Sequence, residues 1–193
     1  MNRVILASAS PRRKELLANM GLDFEIIVSD VEEKVTKVKP SDIVVELSKL
    51  KAEDVAGKVD LTAGTIIIAA DTLVFLEDKR LGKPQNEEDA VLMLKELSGR
   101  DHDVITGVTL IYNKDDSIET CSFYETTKVT FERLDEDEIR EYVSTGEPMD
   151  KAGSYAIQGK SAKFVKSING DYSNVVGLPV PALYKMLKSK GLI

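Results

Sequence analysis

Thr65-Ile66-Ile67-Ile68-Ala69-Ala70, followed by Asp71-Thr72 and then Leu73-Val74-Phe75-Leu76, is the stretch that decides the fold. The run is unbroken, apolar and rich in β-branched residues. A strand with one wet face alternates apolar and polar positions; a continuous run marks a central strand buried on both faces. The segments around it alternate between strand and helix patterns, which sets the class as α/β.

Towards the N-terminus, Val4–Ala7 reads as a short buried strand. Ser10 is a good N-cap and Pro11 suits the first helical position, so Arg12 to Met20 is expected to be helical, stopped by Gly21. Phe24–Ser29 reads as a strand. Ser41 to about Ala56 reads as a helix with Ile43, Val44, Leu47, Leu50 and Val55 on one apolar stripe. Towards the C-terminus, Glu77-Asp78-Lys79-Arg80 supplies a polar turn. Asn86 caps a helix that ends at Gly99 and carries Glu87, Glu88 and Asp89 in its first turn, where the helix dipole favours them. Val104–Tyr112 and Ile118–Phe131 read as an antiparallel pair around Asn113–Ser117. Asp135 and Glu138 form a capping box for a helix reaching about Thr145. A glycine-rich loop (Gly146–Gly159), a short strand from Phe164-Val165, a loop from Gly170 to Gly177 and a helix from Pro179 to about Lys190 complete the chain. There is no internal repeat, low-complexity tract or linker, so 1–193 is expected to be a single domain. The expected architecture is a mixed β-sheet with flanking helices, in two lobes around a central cleft whose rim carries the extended loops.

Composition narrows the functional classes. The chain is 42% hydrophobic and 31% charged, which suits a folded globular protein. Its net charge of −7 disfavours nucleic acid and anionic membranes as partners, because a basic face supplies most of such affinity. No apolar run approaches the roughly 18–20 residues that span a bilayer, and the run after Arg3 is too short for a signal peptide. A cytoplasmic protein, not exported, is the expectation. The single cysteine, Cys121, excludes an internal disulfide and lies in a strand-like run, as a buried or half-buried structural thiol. The single histidine, His102, lies just past a helix end, where a solvated or capping role is expected. One histidine cannot build a histidine-rich metal site or a Ser-His-Asp triad. Any metal must be held mainly by carboxylates, which favours magnesium or manganese.

Several charged residues stand at structurally odd positions. Arg12 and Arg13 occupy the first turn of their helix, at the positive end of its dipole, beside Ser8 and Ser10. They are either a solvated basic helix start or the donors of an anion site, which a strand–loop–helix junction already favours. Lys51 falls inside the apolar stripe of its helix; it either snorkels to the surface or points an ammonium into a cleft. Asp71 ends the Ile66-Ile67-Ile68-Ala69-Ala70 strand, with Thr72 alongside. It is either a bland turn residue or a carboxylate placed to hold a metal or act as general base. Lys83 sits in the exposed Gly82-Lys83-Pro84 loop, which lacks the spacing of a P-loop. Glu33 belongs to a short acidic segment that can equally be a solvated turn. Gln158 is a surface amide or a reader of a base edge. Each is weak alone; together they make four basic phosphate-binding candidates, two carboxylates and one amide.

In order along the chain, these blocks resemble the Maf family of nucleotide pyrophosphatases. They are Ser8-Ala9-Ser10-Pro11-Arg12-Arg13, Glu33, Lys51-Ala52, Ala70-Asp71-Thr72, Gly82-Lys83-Pro84, Ser98-Gly99-Arg100, Thr106-Gly107-Val108, the Asp150–Gly159 loop and Gly170-Asp171-Tyr172. The resemblance covers nearly the full length. It implies an inosine-triphosphatase-like architecture and hydrolysis of a nucleoside triphosphate to the monophosphate plus pyrophosphate, dependent on a divalent metal (Mg2+ or Mn2+). It implies Asp71 as proton acceptor, and Arg12, Thr72 and Gln158 at positions associated with substrate choice. The glutamine at 158 is similar to the dTTP/UTP branch; a related branch acting on 7-methyl-GTP typically carries Glu there. Glu33 and Asp71 are the expected metal ligands, and Ser8, Ser10, Arg12, Arg13, Lys51 and Lys83 the expected grip on the phosphates. The resemblance also implies a homodimer. The alternative is a non-catalytic nucleotide- or nucleic-acid-binding regulator of cell division.

Overall fold

The computed structural model describes residues 2–193. Seven strands form one mixed sheet in the order β2-β1-β3-β5-β6-β7, with β4 paired to β3. The strands are β1 (Arg3–Leu6), β2 (Phe24–Ile26), β3 (Thr65–Leu76), β4 (Lys79–Leu81), β5 (Asp101–Lys114), β6 (Ser117–Phe131) and β7 (Val165–Asn169). The helices are α1 (Pro11–Ala18), α2 (Pro40–Ala56), α3 (Glu87–Leu97), α4 (Glu136–Ser144), α5 (Tyr172–Val176) and α6 (Val180–Ser189). The chain separates into two compact units. One comprises residues 1–71, 106–125 and 177–193; the other comprises 72–105 and 126–176. Strands β3, β5 and β6 each contribute residues to both.

In the first unit β1 runs parallel to both β2 and β3, pairing Arg3–Leu6 with Thr65–Ile68. The period-2 alternation of strands divides the core. Val4, Leu6, Ile66, Ile68, Ala70, Val108 and Leu110 pack with Leu17, Leu183 and Leu187. Ile5, Ala7, Ile67, Ala69 and Ile111 pack with Ala52 and Val55 of α2. Ile66 to Ala70 are wholly buried, and each large aliphatic side chain so placed contributes about 1.5–3 kcal/mol. Gly107 sets the approach of α2: a Cβ there would lie 2.3 Å from the backbone carbonyl of Val44. The helix therefore rests directly on β5, and a hydroxyl chain runs from Ser48 to Thr109 at 2.9 Å and on from Thr109 to Ser122 at 2.8 Å.

In the second unit, Leu76, Leu94, Leu97, Ile139 and Phe164 belong to one apolar core. Asn86 caps α3 and Asp135 with Glu138 forms the capping box of α4, as the sequence indicates. Rings of His102, Phe131, Tyr155, Phe164 and Tyr142 meet mostly edge to face at centroid separations of 4.8–6.3 Å.

Four expectations need correction. His102 is neither solvated nor a cap: it lies in β5, 2% exposed, with Nε2 2.7 Å from the Tyr155 hydroxyl. The segment Glu77–Arg80 is not all turn, because Lys79–Leu81 pairs antiparallel with Val74–Leu76; Glu77, at φ +56°, and Asp78 make the tight reversal. Residues 170–177 are not all loop, since Tyr172–Val176 turns helical behind Gly170. Asp71 does not end its strand: β3 continues to Leu76, and only its parallel partner β1 stops, opposite Ile68. The β5–β6 reading holds. Only Asp115 and Asp116 join these neighbouring strands, both at positive φ, the turn that suits an antiparallel hairpin.

Candidate active site

Asp71 sits in the first unit at the point where β3 outruns β1. By the alternation along β3 it shares the face of Ile67 and Ala69, which is the face covered by α2. Lys51 emerges from that side of α2, in register with Val44, Leu47 and Val55. Its side chain is only 17% exposed, so it does not snorkel away. Its ammonium ion-pairs with Asp71 Oδ1 and lies 2.8 Å from Glu33 Oε1. The structure thus brings Lys51, Asp71 and Glu33 together, as a lysine shared by two carboxylates. Asp71 Oδ2 is buried and has no hydrogen-bond partner. A desolvated carboxylate oxygen without a partner is costly, and here it is an acceptor available to a ligand.

The helix start beside it is built by the serines. Ser10 caps α1 by accepting from Arg13 N at 3.5 Å, and the Ser8 hydroxyl accepts from Ser10 N and Arg13 Nη1 at 3.3 and 3.2 Å. Arg13 Nε donates to the Gly177 carbonyl at 2.8 Å. Burial holds the Arg13 guanidinium below its ordinary value; the fields of Asp71 and Glu33 oppose that shift, and Arg12 adds to it. Arg13 is therefore close enough to feel all three charges, and its role in the loop is structural as well as electrostatic. Arg12 is half-buried, with no hydrogen bond or ion pair to any described residue. Of the two arginines it is the uncommitted one.

Residues 27–39, which contain Glu33, have no regular secondary structure. Sequence reasoning missed what holds them. Asp54 accepts from Asp30 N at 3.0 Å and pairs with Lys58 at 2.8 Å, while Lys58 also reaches Asp30 at 3.1 Å. Glu46 accepts from Thr36 N at 2.8 Å, from the Thr36 hydroxyl and from Lys37 N at 3.2 Å. The only signal in the sequence is that Glu46 and Asp54 recur on the turns of α2 flanking Lys51, with Lys58 just past the helix end, a pattern common to many helices.

Thr72, Lys83 and Gln158 belong to the second unit. Lys83 is exposed, next to Gly82, whose carbonyl accepts from Gly153 N at 3.0 Å. Gln158 is exposed at the tip of a turn over residues 156–161. Ser161 Oγ bonds both Ala156 N and O, at 3.1 and 2.8 Å, and Glu147 receives Lys160 N at 3.0 Å.

Among the described residues no group of three or more His, Cys, Asp or Glu is arranged to hold a metal ion. Two carboxylates, one with a free buried oxygen, nevertheless suit a hard cation such as magnesium, which commonly takes one or two protein carboxylates and fills its remaining positions with water and phosphate oxygens.

A carboxylate–lysine pair next to a serine- and arginine-lined helix start defines the class: an α/β protein equipped for a polyanionic, phosphate-bearing ligand. The chain belongs to the Maf family; the family described as Maf-like protein matches residues 3–190. It is 51% identical over 186 residues to a protein of Thermoanaerobacter sp. named dTTP/UTP pyrophosphatase, covering 96% of this chain and 95% of that one. It is 47% identical over 193 residues to a Lachnoclostridium phytofermentans protein of the same name, covering 100% and 97%. A Bacillus cereus protein, also so named, is 52% identical over 189 residues, covering 97% and 95%.

Proposed function

We propose that this chain hydrolyses dTTP and UTP to the monophosphate and pyrophosphate. The observation that carries the reading is Asp71: a buried carboxylate, paired through Oδ1 with Lys51, with Oδ2 unpartnered. The relatives' shared name supplies the substrate class.

In this reading Arg12, Arg13 and Lys51 neutralise the triphosphate, and the serine-capped start of α1 adds backbone donors. Asp71 takes the proton of an attacking water. The water oxygen bonds to the α-phosphorus as the bond from that phosphorus to the αβ-bridging oxygen breaks, and pyrophosphate leaves with the bond's electron pair. Glu33 and Asp71 would hold the magnesium or manganese ion, which supplies charge neutralisation at the phosphate oxygens when bound. Lys83 is proposed as a further phosphate ligand and Thr72 as a contributor to substrate choice. Gln158 carries an amide that both donates and accepts, matching O4 and N3–H of uracil or thymine. A cytoplasmic location and a homodimeric state complete the proposal; cell fractionation and sedimentation equilibrium read them.

The test is a panel of nucleoside triphosphates with magnesium, assayed for pyrophosphate, on the wild type and Asp71→Asn. Release from dTTP and UTP, reduced roughly 10²-fold or more in a folded Asp71→Asn variant, is expected. Near-normal turnover in that variant overturns the assignment of the base. Absence of pyrophosphate from every nucleotide leaves the regulator reading.

A further inference from the structure

Two carboxylates on α2 grip the irregular segment on either side of Glu33. Upstream, Asp54 receives Asp30 N at 3.0 Å, and Lys58 ties Asp54, Asp30 and the Val28 carbonyl together at 2.8, 3.1 and 3.3 Å. Downstream, the Glu46 carboxylate receives the Thr36 hydroxyl and the amides of Thr36 and Lys37. Between the two anchors, Glu33 reaches Lys51 at 2.8 Å, and Lys51 lies on the same helix between Glu46 and Asp54. Ile27 N still reaches the Leu6 carbonyl at 3.2 Å, but no strand or helix covers residues 28–39, and every residue ordered outside secondary structure costs backbone entropy. The position of Glu33 is therefore set by anchors that do not themselves reach Asp71.

We propose that Glu46 and Asp54 are positioning residues for the hydrolytic site, fixing the segment 30–37 along α2 so that the Glu33 carboxylate is held beside Lys51 and Asp71. This rests on the pyrophosphatase reading and extends it to residues that touch neither substrate nor the reacting atoms. Both anchors accept hydrogen bonds as carboxylates: the Thr36 hydroxyl and amide draw Glu46 below the usual carboxylate range, and Lys58 and Ser29 do the same for Asp54. Both are half-buried and belong to none of the apolar clusters, so substitution leaves the apolar core intact.

The experiment is a double-mutant cycle with three readouts. Glu46→Ala, Asp54→Ala, Glu33→Gln and the doubles Glu46→Ala/Glu33→Gln and Asp54→Ala/Glu33→Gln are compared with wild type. Pyrophosphate release from UTP is followed at saturating and at limiting magnesium. Manganese binding without nucleotide is read by electron paramagnetic resonance, and amide hydrogen exchange over residues 30–37 is measured. Glu46→Ala is expected to expose the Thr36 and Lys37 amides and to weaken manganese binding. It is expected to cut kcat/KM roughly tenfold at limiting magnesium, with a smaller loss at saturation, and to add nothing in the Glu33→Gln background. Asp54→Ala is expected to do the same with the Asp30 amide, while Glu46→Gln, which keeps an acceptor oxygen, restores most of the activity. Full additivity with Glu33→Gln, or faster amide exchange with unchanged kinetics and manganese binding, overturns the positioning role while leaving the pyrophosphatase reading intact. If Glu33→Gln itself changes neither manganese binding nor turnover, the role given to Glu33 falls, and the positioning role with it. Absence of pyrophosphate release from wild type refutes the function instead.

Discussion

Replacing Lys51 with methionine keeps an unbranched stem within the apolar stripe of α2 and deletes only the ammonium. The consequence follows from where its partners sit. The Asp71 side chain is 11% exposed, that of Lys51 17% and that of Glu33 45%. Glu33 can turn to water when the lysine is gone; Asp71 cannot. Removing one partner of a fully buried pair costs about 3–5 kcal/mol, because the remaining charge is left uncompensated. Here the burial is incomplete, and Arg13 stays within range of Asp71, so about 2–3 kcal/mol is expected. For a chain of 193 residues that lowers Tm by roughly 4–12 °C. The assay is urea unfolding near neutral pH of wild type, Lys51→Met, Asp71→Asn and the double variant. Removing the charge of Asp71 removes the reason for the penalty, so the double variant should be more stable than Lys51→Met, with a coupling of about 1.5–2.5 kcal/mol. The coupling should also persist in 0.5 M salt, since buried pairs are poorly screened. Additivity to within about 0.5 kcal/mol, or loss of the coupling in salt, would show an ordinary solvated ion pair and refute the reasoning.

Gly107→Ala places a methyl where the Val44 carbonyl already lies at 2.3 Å, so α2 must lift from β5. A destabilisation of about 2–3 kcal/mol is expected, read by urea unfolding, with pyrophosphate release lowered because Lys51 moves with the helix. His102 is held by burial at a pKa of about 4 against an ordinary value of 6.5, with Asp101 opposing the shift. Below pH 6.5 the unfolded chain binds a proton that the folded chain refuses until about pH 4. Stability therefore falls as pH drops through that window, by about 3 kcal/mol at most. His102→Gln, which does not titrate, should flatten that part of a stability-against-pH curve.

Composition and periodicity exposed the central strand because an unbroken apolar run has few other uses, and with it came Asp71. Lys51 was visible as a charge inside an apolar stripe, and the structure decides its direction through a fact of register: Ile67 and Ala69 of β3 face α2, and Asp71 shares their face. The parts that stayed hidden are those fixed by distant pairings. Gly107 reads as an ordinary strand glycine until the backbone of Val44 is laid against it. His102 is polar in a polar tetrapeptide, and only the rings of Phe131 and Tyr155, brought in from later in the chain, make it an interior residue. Lys79 and Arg80 look like turn residues because an edge strand of three residues has too short a pattern to register. Glu33 was legible as a carboxylate and illegible as a positioned one, since its segment is anchored by hydrogen bonds to half-buried carboxylates on another element.

The charges of the site also separate by commitment. Arg13 is held by Ser8 and the Gly177 carbonyl, and Lys51 by Asp71 and Glu33, whereas Arg12 has no such bond to a described residue. In the proposed reading a triphosphate brings more negative charge than Arg12 alone offsets, and Lys51 would add to Arg13 and Lys83 by turning from its carboxylates towards the phosphates. It can do so at low cost only if another cation takes its place between Asp71 and Glu33, because Asp71 is too buried to remain uncompensated. Electrostatics alone thus links occupation of the carboxylate pair to the grip on phosphate. A lysine shared by two carboxylates is a suitable form for such a linkage: its field keeps the pair stable without ligand, and in the proposed reaction its release would supply a cation to the phosphates.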